Sequence, residues 1–176
     1  MHLIAASYLL GIPTVPFNAS VRPETYYSLK NLKSIIVDAR YSAAVDTNGL
    51  TLIPPTLLSF AETFNSDLSS IGVHVPVILG PRATENAIFL TLASDKKEFV
   101  DAAGRPTSEG YLLEVTTSGV TVAGASPLGA WWGTRTVLQQ AILRDLKISV
   151  GQGIDAAAWG ERGMMVSCLT GPKLLR

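Results

Sequence analysis

Two histidines, His2 and His74, and one cysteine, Cys168, are all the imidazoles and thiols in this chain. A zinc site takes three or four such ligands at short, regular spacings. His2 at the start of the chain and His74 in an expected strand offer no such spacing, and H-E-x-x-H does not occur. A nucleophilic relay needs a Ser or Cys placed beside a His, yet no G-x-S-x-G elbow is present, and Cys168 falls in an irregular stretch. The glycines at 80–82 and 124–133 do not form the G-x-x-x-x-G-K-[ST] phosphate loop. These patterns lead us to expect no catalytic, cofactor-binding or metal-binding residue, and no cofactor. Trp131 and Trp132 have faces suited to stacking on sugar rings, but large aromatics are usually highly buried, so both are expected in the core. Arg135 and Arg144 are expected to be solvated or paired with nearby acids. Asp38 and Arg40 are expected to alternate with the buried residues of a strand, and Glu62 and Asp67 to lie on the wet face of a helix.

The elements that would hold such residues follow from the pattern of apolar side chains. With 176 residues, 47% of them hydrophobic, the chain is long enough for one domain with a substantial core. Fourteen basic and fourteen acidic side chains cancel. That balance argues against sequence-blind nucleic-acid binding, which needs a basic surface. No apolar run is long enough to span a bilayer. A single cysteine permits no internal disulfide and says nothing about compartment. Leu3–Ile12 is apolar enough for the core of a secretory signal, although no Lys or Arg precedes it and no clear A-x-A site follows. The other reading of this segment is a loosely packed arm. Asn18-Ala19-Ser20 is a glycosylation sequon should the chain be secreted.

Ser34–Arg40 is β-branched and short, which predicts a strand. Asp46–Gly49 carries turn chemistry, and Leu50–Ile53 could continue as a short strand. Pro54-Pro55 then suits the first turn of a helix whose stripe is Leu57, Phe60, Ala61, Phe64 and Leu68. Val73–Leu79 and Ala87–Ala93 predict two more strands, with Pro76 placing the former at an edge or a bulge. Asp95–Ser108 predicts a loop. Tyr111–Thr117 and Val120–Ala123 flank Ser118-Gly119 as a hairpin. Strands that cluster between two helices predict an α+β fold: one mostly antiparallel sheet with two helices packed on one face.

The second helix falls in Gly124–Leu146, GASPLGAWWGTRTVLQQAILRDL. Ser126 suits the N-cap and Pro127 the first helical position. Trp131, Leu138, Ala141, Ile142 and Leu146 lie near helical spacing. Gly129 and Gly133, on one side, cost up to about 1 kcal/mol each relative to Ala, so another backbone is expected to pass close by.

The run GASPLGAWWGTRTVLQQ, then Trp159, Arg162, Gly163, Met164 and Met165, resembles the family-20 glycoside hydrolases, the β-N-acetylhexosaminidases. DTNGLTLIPPTLLSFAETF upstream supports the resemblance, which runs from Ser34 to Val166. It implies a zincin-like N-terminal domain at 34–146, preceded by an arm or signal at 1–33. Residues 147–176 would be the truncated start of a catalytic barrel and an irregular tail. In that family a neighbouring Asp-Glu pair assists attack by the substrate's own acetamido group. This sequence has no adjacent Asp-Glu pair, and a (β/α)₈ barrel takes about 250 residues. After W-x-x-R-G the family's Asp position falls on Ser167 and its sugar-binding Arg on Thr170, so no functional residue of the family carries over; Arg162 matches a structural position. The resemblance therefore implies a hexosaminidase accessory domain, inactive alone, whose partner is the absent barrel and whose setting is extracellular or secretory. The exposed barrel-facing surface would favour self-association. The alternative is a stand-alone glycan- or protein-binding module. No nucleic-acid or membrane partner is expected.

Overall fold

The structure, a computed structural model, describes residues 7–9, 15–19, 25–47 and 52–159. In chain order the strands and helices are β1 (Ser7–Leu9), β2 (Val15–Ala19), β3 (Tyr26–Ser28), β4 (Ser34–Asp38), α1 (Leu57–Ser70), β5 (Val77–Gly80), β6 (Ala87–Leu92), β7 (Tyr111–Thr116), β8 (Gly119–Gly124), α2 (Pro127–Leu143), β9 (Lys147–Ser149) and β10 (Gly151–Asp155).

Eight strands form one sheet in the order β1-β2-β10-β7-β8-β6-β4-β5, and β3 pairs with β9 separately. The fold is α+β, as the clustering of strands predicts. In the large sheet four neighbouring pairs are antiparallel. The other three, joining β8, β6, β4 and β5, are parallel. Parallel strands buried on both faces read as continuous apolar runs, as in SIIVD and AIFLTL. Ile35, Val37, Ile88, Leu90, Leu113, Val115, Val120 and Val122 point to one face, where they join residues of both helices in the main core. Ile36, Ala87 and Phe89 form a second, smaller cluster on the opposite face.

Helix α1 begins at Leu57, two residues after Pro55, and not at the prolines. Thr56 caps it, its hydroxyl accepting the Ser59 amide at 3.0 Å, so Pro54 and Pro55 lie ahead of the first turn. Leu57, Ala61, Phe64 and Leu68 are fully buried, while Phe60 sits at the edge of the stripe. Helix α2 is capped by Ser126, with Pro127 at its start. Its buried line runs through Ala130, Gly133, Val137 and Ala141, with Trp131 and Leu138 on the flank and Ile142 60% exposed. Ile142 thus leaves the expected stripe, because the small residues face the sheet. A Cβ on Gly129 would strike the Gly110 carbonyl, and one on Gly133 would strike Val122 and the Tyr111 ring. The two glycines let α2 lie this close.

Several strand bounds move, and β4 ends at Asp38 rather than Arg40. The hairpin turns at Thr117-Ser118, one residue early, because Thr116 pairs with Gly119. The strand expected from Val73 starts at Val77, since Pro76 has no amide to donate; β5 is the sheet's edge. His74 is therefore exposed ahead of the strand rather than in it. Leu52 and Ile53 form an exposed bend, not a strand. Past Leu146, Lys147–Ser149 and Gly151–Asp155 are strands, and β10 lies between β2 and β7. Leu9, Val15 and Phe17 from the N-terminal segment are buried in the main core. Residues 3–6 and 10–12 of the apolar run, Ser20, residues 48–51, and everything after Trp159, including Arg162, Gly163, Ser167, Cys168 and Thr170, lie outside the described residues.

Candidate functional site

Three carboxylates approach the interior at the end of the sheet where β4, β8 and β10 finish. Asp38 is the last residue of β4 and is fully buried, contrary to the expected alternation. Arg40 lies beyond the strand and grips it with two side-chain bonds, Nε to Oδ1 at 3.1 Å and Nη2 to Oδ2 at 2.8 Å. The Thr91 hydroxyl and the Arg40 amide also donate to it, at 2.7 and 3.1 Å. The Arg40 side-chain bonds hold the Asp38 pKa down at about 2, against the opposing effect of burial, with Thr91 and the Arg40 amide helping. Such a carboxylate is a fixed anion, not a proton donor at ordinary pH.

Asp46 is buried beneath the start of α2, where its Oδ2 lies 2.8 Å from the Ser126 hydroxyl. The same hydroxyl lies 2.8 Å from the Ser108 carbonyl and accepts the Leu128 amide at 3.0 Å. Thus the loop after β4, the loop before β7 and the α2 cap meet at one oxygen. Asp155 ends β10 and is half-buried. Its Oδ2 accepts the Tyr111 hydroxyl at 3.2 Å, and that hydroxyl is 2.6 Å from Thr136 Oγ1 on α2. Burial pushes the Asp155 carboxyl above its usual range and the Tyr111 phenol well above its own. A raised carboxyl is the kind that serves as a general acid, but this one points to the helix side of the sheet and is bonded to a buried phenol.

Between the helices, Trp131 stacks on Phe60 with ring centres 5.1 Å apart. The Arg135 guanidinium lies 3.6 Å from the Trp131 ring centre and also bonds Asp67. Asp67 therefore bridges α1 to α2 instead of lying on a wet face. Phe60 and Arg135 occupy the Trp131 ring, and Trp132 packs against the core. Arg144 and Glu62 are exposed.

On the sheet face away from the helices, Leu112, Ala123 and Ile154 line up across β7, β8 and β10. With Phe99 and the loop after β6 they line an open groove of about 610 Å³. Asp95, Lys97 and Glu98 are on its rim. Among the described residues, no three His, Cys, Asp or Glu side chains converge to hold a metal ion. Nor is any helix among them long and apolar enough to cross a membrane. The geometry thus brings together carboxylates that fasten strands and helices to one another. Sequence reasoning missed the Asp46–Ser126 and Tyr111–Asp155 contacts, since residues 80 and 44 positions apart are joined only by the fold.

A two-helix layer on a mixed eight-stranded sheet, fastened by such carboxylates, defines an α+β scaffold domain. Residues 23–146 match the family described as glycosyl hydrolase family 20, domain 2, and the chain belongs to that family. Among solved structures it is similar to the GH20 β-N-acetylhexosaminidase from Streptomyces coelicolor A3(2). It is equally similar to the Streptomyces plicatus N-acetyl-β-hexosaminidase in complex with Thio-NAglucal. Each shares 22% identity with it, at a TM-score of 0.46, over 78% of this chain and 25% of the other. The chain thus spans about a quarter of the length of the hexosaminidases it matches. No curated protein sequence matches it.

Proposed function

We propose that this chain acts as the accessory N-terminal domain of a β-N-acetylhexosaminidase, in the secretory pathway or outside the cell, and that it has no glycosidase activity alone. The carrying observation is the match to domain 2 of the family over residues 23–146. The three carboxylates that reach the interior support it, since each is committed to a structural contact: Asp38 to Arg40, Asp46 to the α2 cap and Asp155 to Tyr111. The proposed partner is the catalytic barrel of a longer family member, against which the domain packs. Purified chain is expected to release no chromophore from a chromogenic N-acetyl-β-glucosaminide. Turnover that persists through removal of contaminants overturns the proposal.

The alternative, a stand-alone glycan-binding module, draws support from Trp159, whose side chain is 63% exposed. Titration with N-acetylglucosamine oligomers separates the two readings: saturable quenching of tryptophan fluorescence supports the module, and a flat response supports the accessory domain.

A further inference from the structure

Residues 94–98, between β6 and β7, are exposed without exception. Anchors hold the chain on either side. The Ala93 amide donates to the Gly124 carbonyl at 2.9 Å, and the carbonyl of Phe99, itself buried, accepts the Thr107 amide at 2.9 Å. Between the anchors the bonds are local. The Lys97 amide donates to the Asp95 carboxylate at 3.0 Å, and the Phe99 and Val100 amides donate to the Lys96 and Glu98 carbonyls, both at 3.1 Å. Opening this segment therefore breaks short-range bonds and uncovers no buried side chain, which puts it at the least stable end of the fold. Lys96-Lys97 is also the one pair of adjacent basic residues in the sequence. The other described lysines are held differently. Lys30 lies in a 3-10 turn and pairs with Asp145, the Lys33 amide bonds the Asn86 carbonyl at 2.7 Å, and Lys147 is in β9.

The sheet order decides what a break here would do. β1 to β6 and α1 precede the lysine pair, and β7 to β10 and α2 follow it. In space β10, β7 and β8 lie between β2 on one side and β6 on the other. The later part of the chain is thus inserted into the earlier part. β8 pairs with β6 over six residues, β10 with β2 over two, and β9 with β3 over three. Across the helix layer Phe60 stacks on Trp131, and Asp46 meets the Ser126 hydroxyl. Both parts contribute to the main core. Their shared boundary is of the kind found in obligate complexes, whose interfaces resemble a domain core cut in half.

We propose that Lys96-Lys97 is a cleavage site for a serine endoprotease whose acidic pocket takes lysine, and that cleavage turns the domain into a two-chain complex without unfolding it. Water adds across one peptide bond: the lysine keeps a carboxylate and the next residue gains an amine, so no further reactant is needed. Because the segment opens without the core, cutting draws on local fluctuation and not on global unfolding.

A lysine-specific serine endoprotease, applied to the full chain under native conditions, tests this. The first cut among the described residues is expected after Lys96 or Lys97, identified by fragment mass. The fragments should separate on a denaturing gel and co-elute at the position of the intact chain from a size-exclusion column. Lys96→Gln with Lys97→Gln should lose the cut and keep the melting temperature, since both side chains are exposed. Leu68→Ala empties a fully buried site on α1, on the other face of the sheet, and raises the unfolded population; it should leave the rate at this bond unchanged. A first cut at Lys30, Lys33 or Lys147, fragments that elute apart, or a rate that climbs in Leu68→Ala overturns the proposal. So does a native chain that resists cleavage at Lys96-Lys97.

Discussion

The two halves of the large sheet are built on different principles. In β8, β6, β4 and β5 the strands are parallel and rich in Ile, Val, Leu and Phe. Every residue of β4 is buried, and side-chain packing carries that half. In β7, β10, β2 and β1 the strands are antiparallel, and the interior strand β10 holds two glycines in five residues. There backbone pairing and a polar line through Tyr111 hold β10, beside the apolar packing of Leu9, Val15, Phe17, Leu113 and Val115 on β1, β2 and β7. The aspartates repeat the contrast: Asp38 is kept ionised by Arg40, whereas Asp155 is pushed toward its neutral form. A sheet can thus fasten one interior strand by apolar volume, as at β4, and another by polar contacts and ladder bonds, as at β10.

The largest expected effect tests the apolar half. Leu90→Ala empties a fully buried site on β6 and should destabilise the domain by about 2–5 kcal/mol in urea unfolding. Ile154→Ala, on half-exposed β10, should cost well under half as much. Equal losses would erase the contrast between the halves. Gly129→Ala comes next. Its new methyl meets the Gly110 carbonyl, backbone that yields only if α2 shifts, and overpacking of this kind costs about 1–3 kcal/mol. A stabilised variant would show that helix propensity outweighs the close approach.

Arg40→Ala sharpens the comparison of the two aspartates. It leaves Asp38 buried with the Thr91 hydroxyl and a backbone amide, and should lower stability at pH 7, by less than loss of a wholly buried pair because Arg40 is itself largely exposed. The folded pKa of Asp38 lies below its unfolded value, so its contribution is present above about pH 4 and is lost as pH falls toward 2. Thermal melts between pH 7 and pH 2 should show a shallower acid loss in the variant than in the unaltered chain. Parallel curves would remove Arg40 as the cause.

The same division governs what the sequence reveals. SIIVD, AIFLTL and the stripe on α1 are legible because burial of apolar residues leaves a periodic trace. The close-packed glycines of α2 are legible too, since glycine in a helix needs a reason. β10 leaves no such trace. Its place depends on ladder bonds that any backbone makes, with Gly153 fitted against β2, where a Cβ would meet the Pro16 carbonyl. Asp38 shows how a polar residue misleads: alternation puts it in solvent, but a parallel strand covered on both faces buries it and recruits Arg40 from the next turn. Of the contacts at the candidate site, Ser126 as a cap is local and readable, while its bond to Asp46 is set by tertiary structure.

The smallest expected effect on stability falls outside both halves. Leu52 and Ile53 are 97% and 82% exposed, in the bend that leads to the α1 cap. They bury almost nothing, so the double variant Leu52→Ser with Ile53→Ser should change folding free energy by less than about 0.5 kcal/mol. Adjacent exposed aliphatics do favour association. The unaltered chain should therefore elute earlier from size-exclusion columns as its concentration rises, and the double variant should not. If the two elute alike as monomers at high concentration, this bend is not an adhesive surface. If they self-associate alike, the contact lies elsewhere, with Ile142 and Leu143 at the end of α2, 60% and 56% exposed, the next pair to substitute.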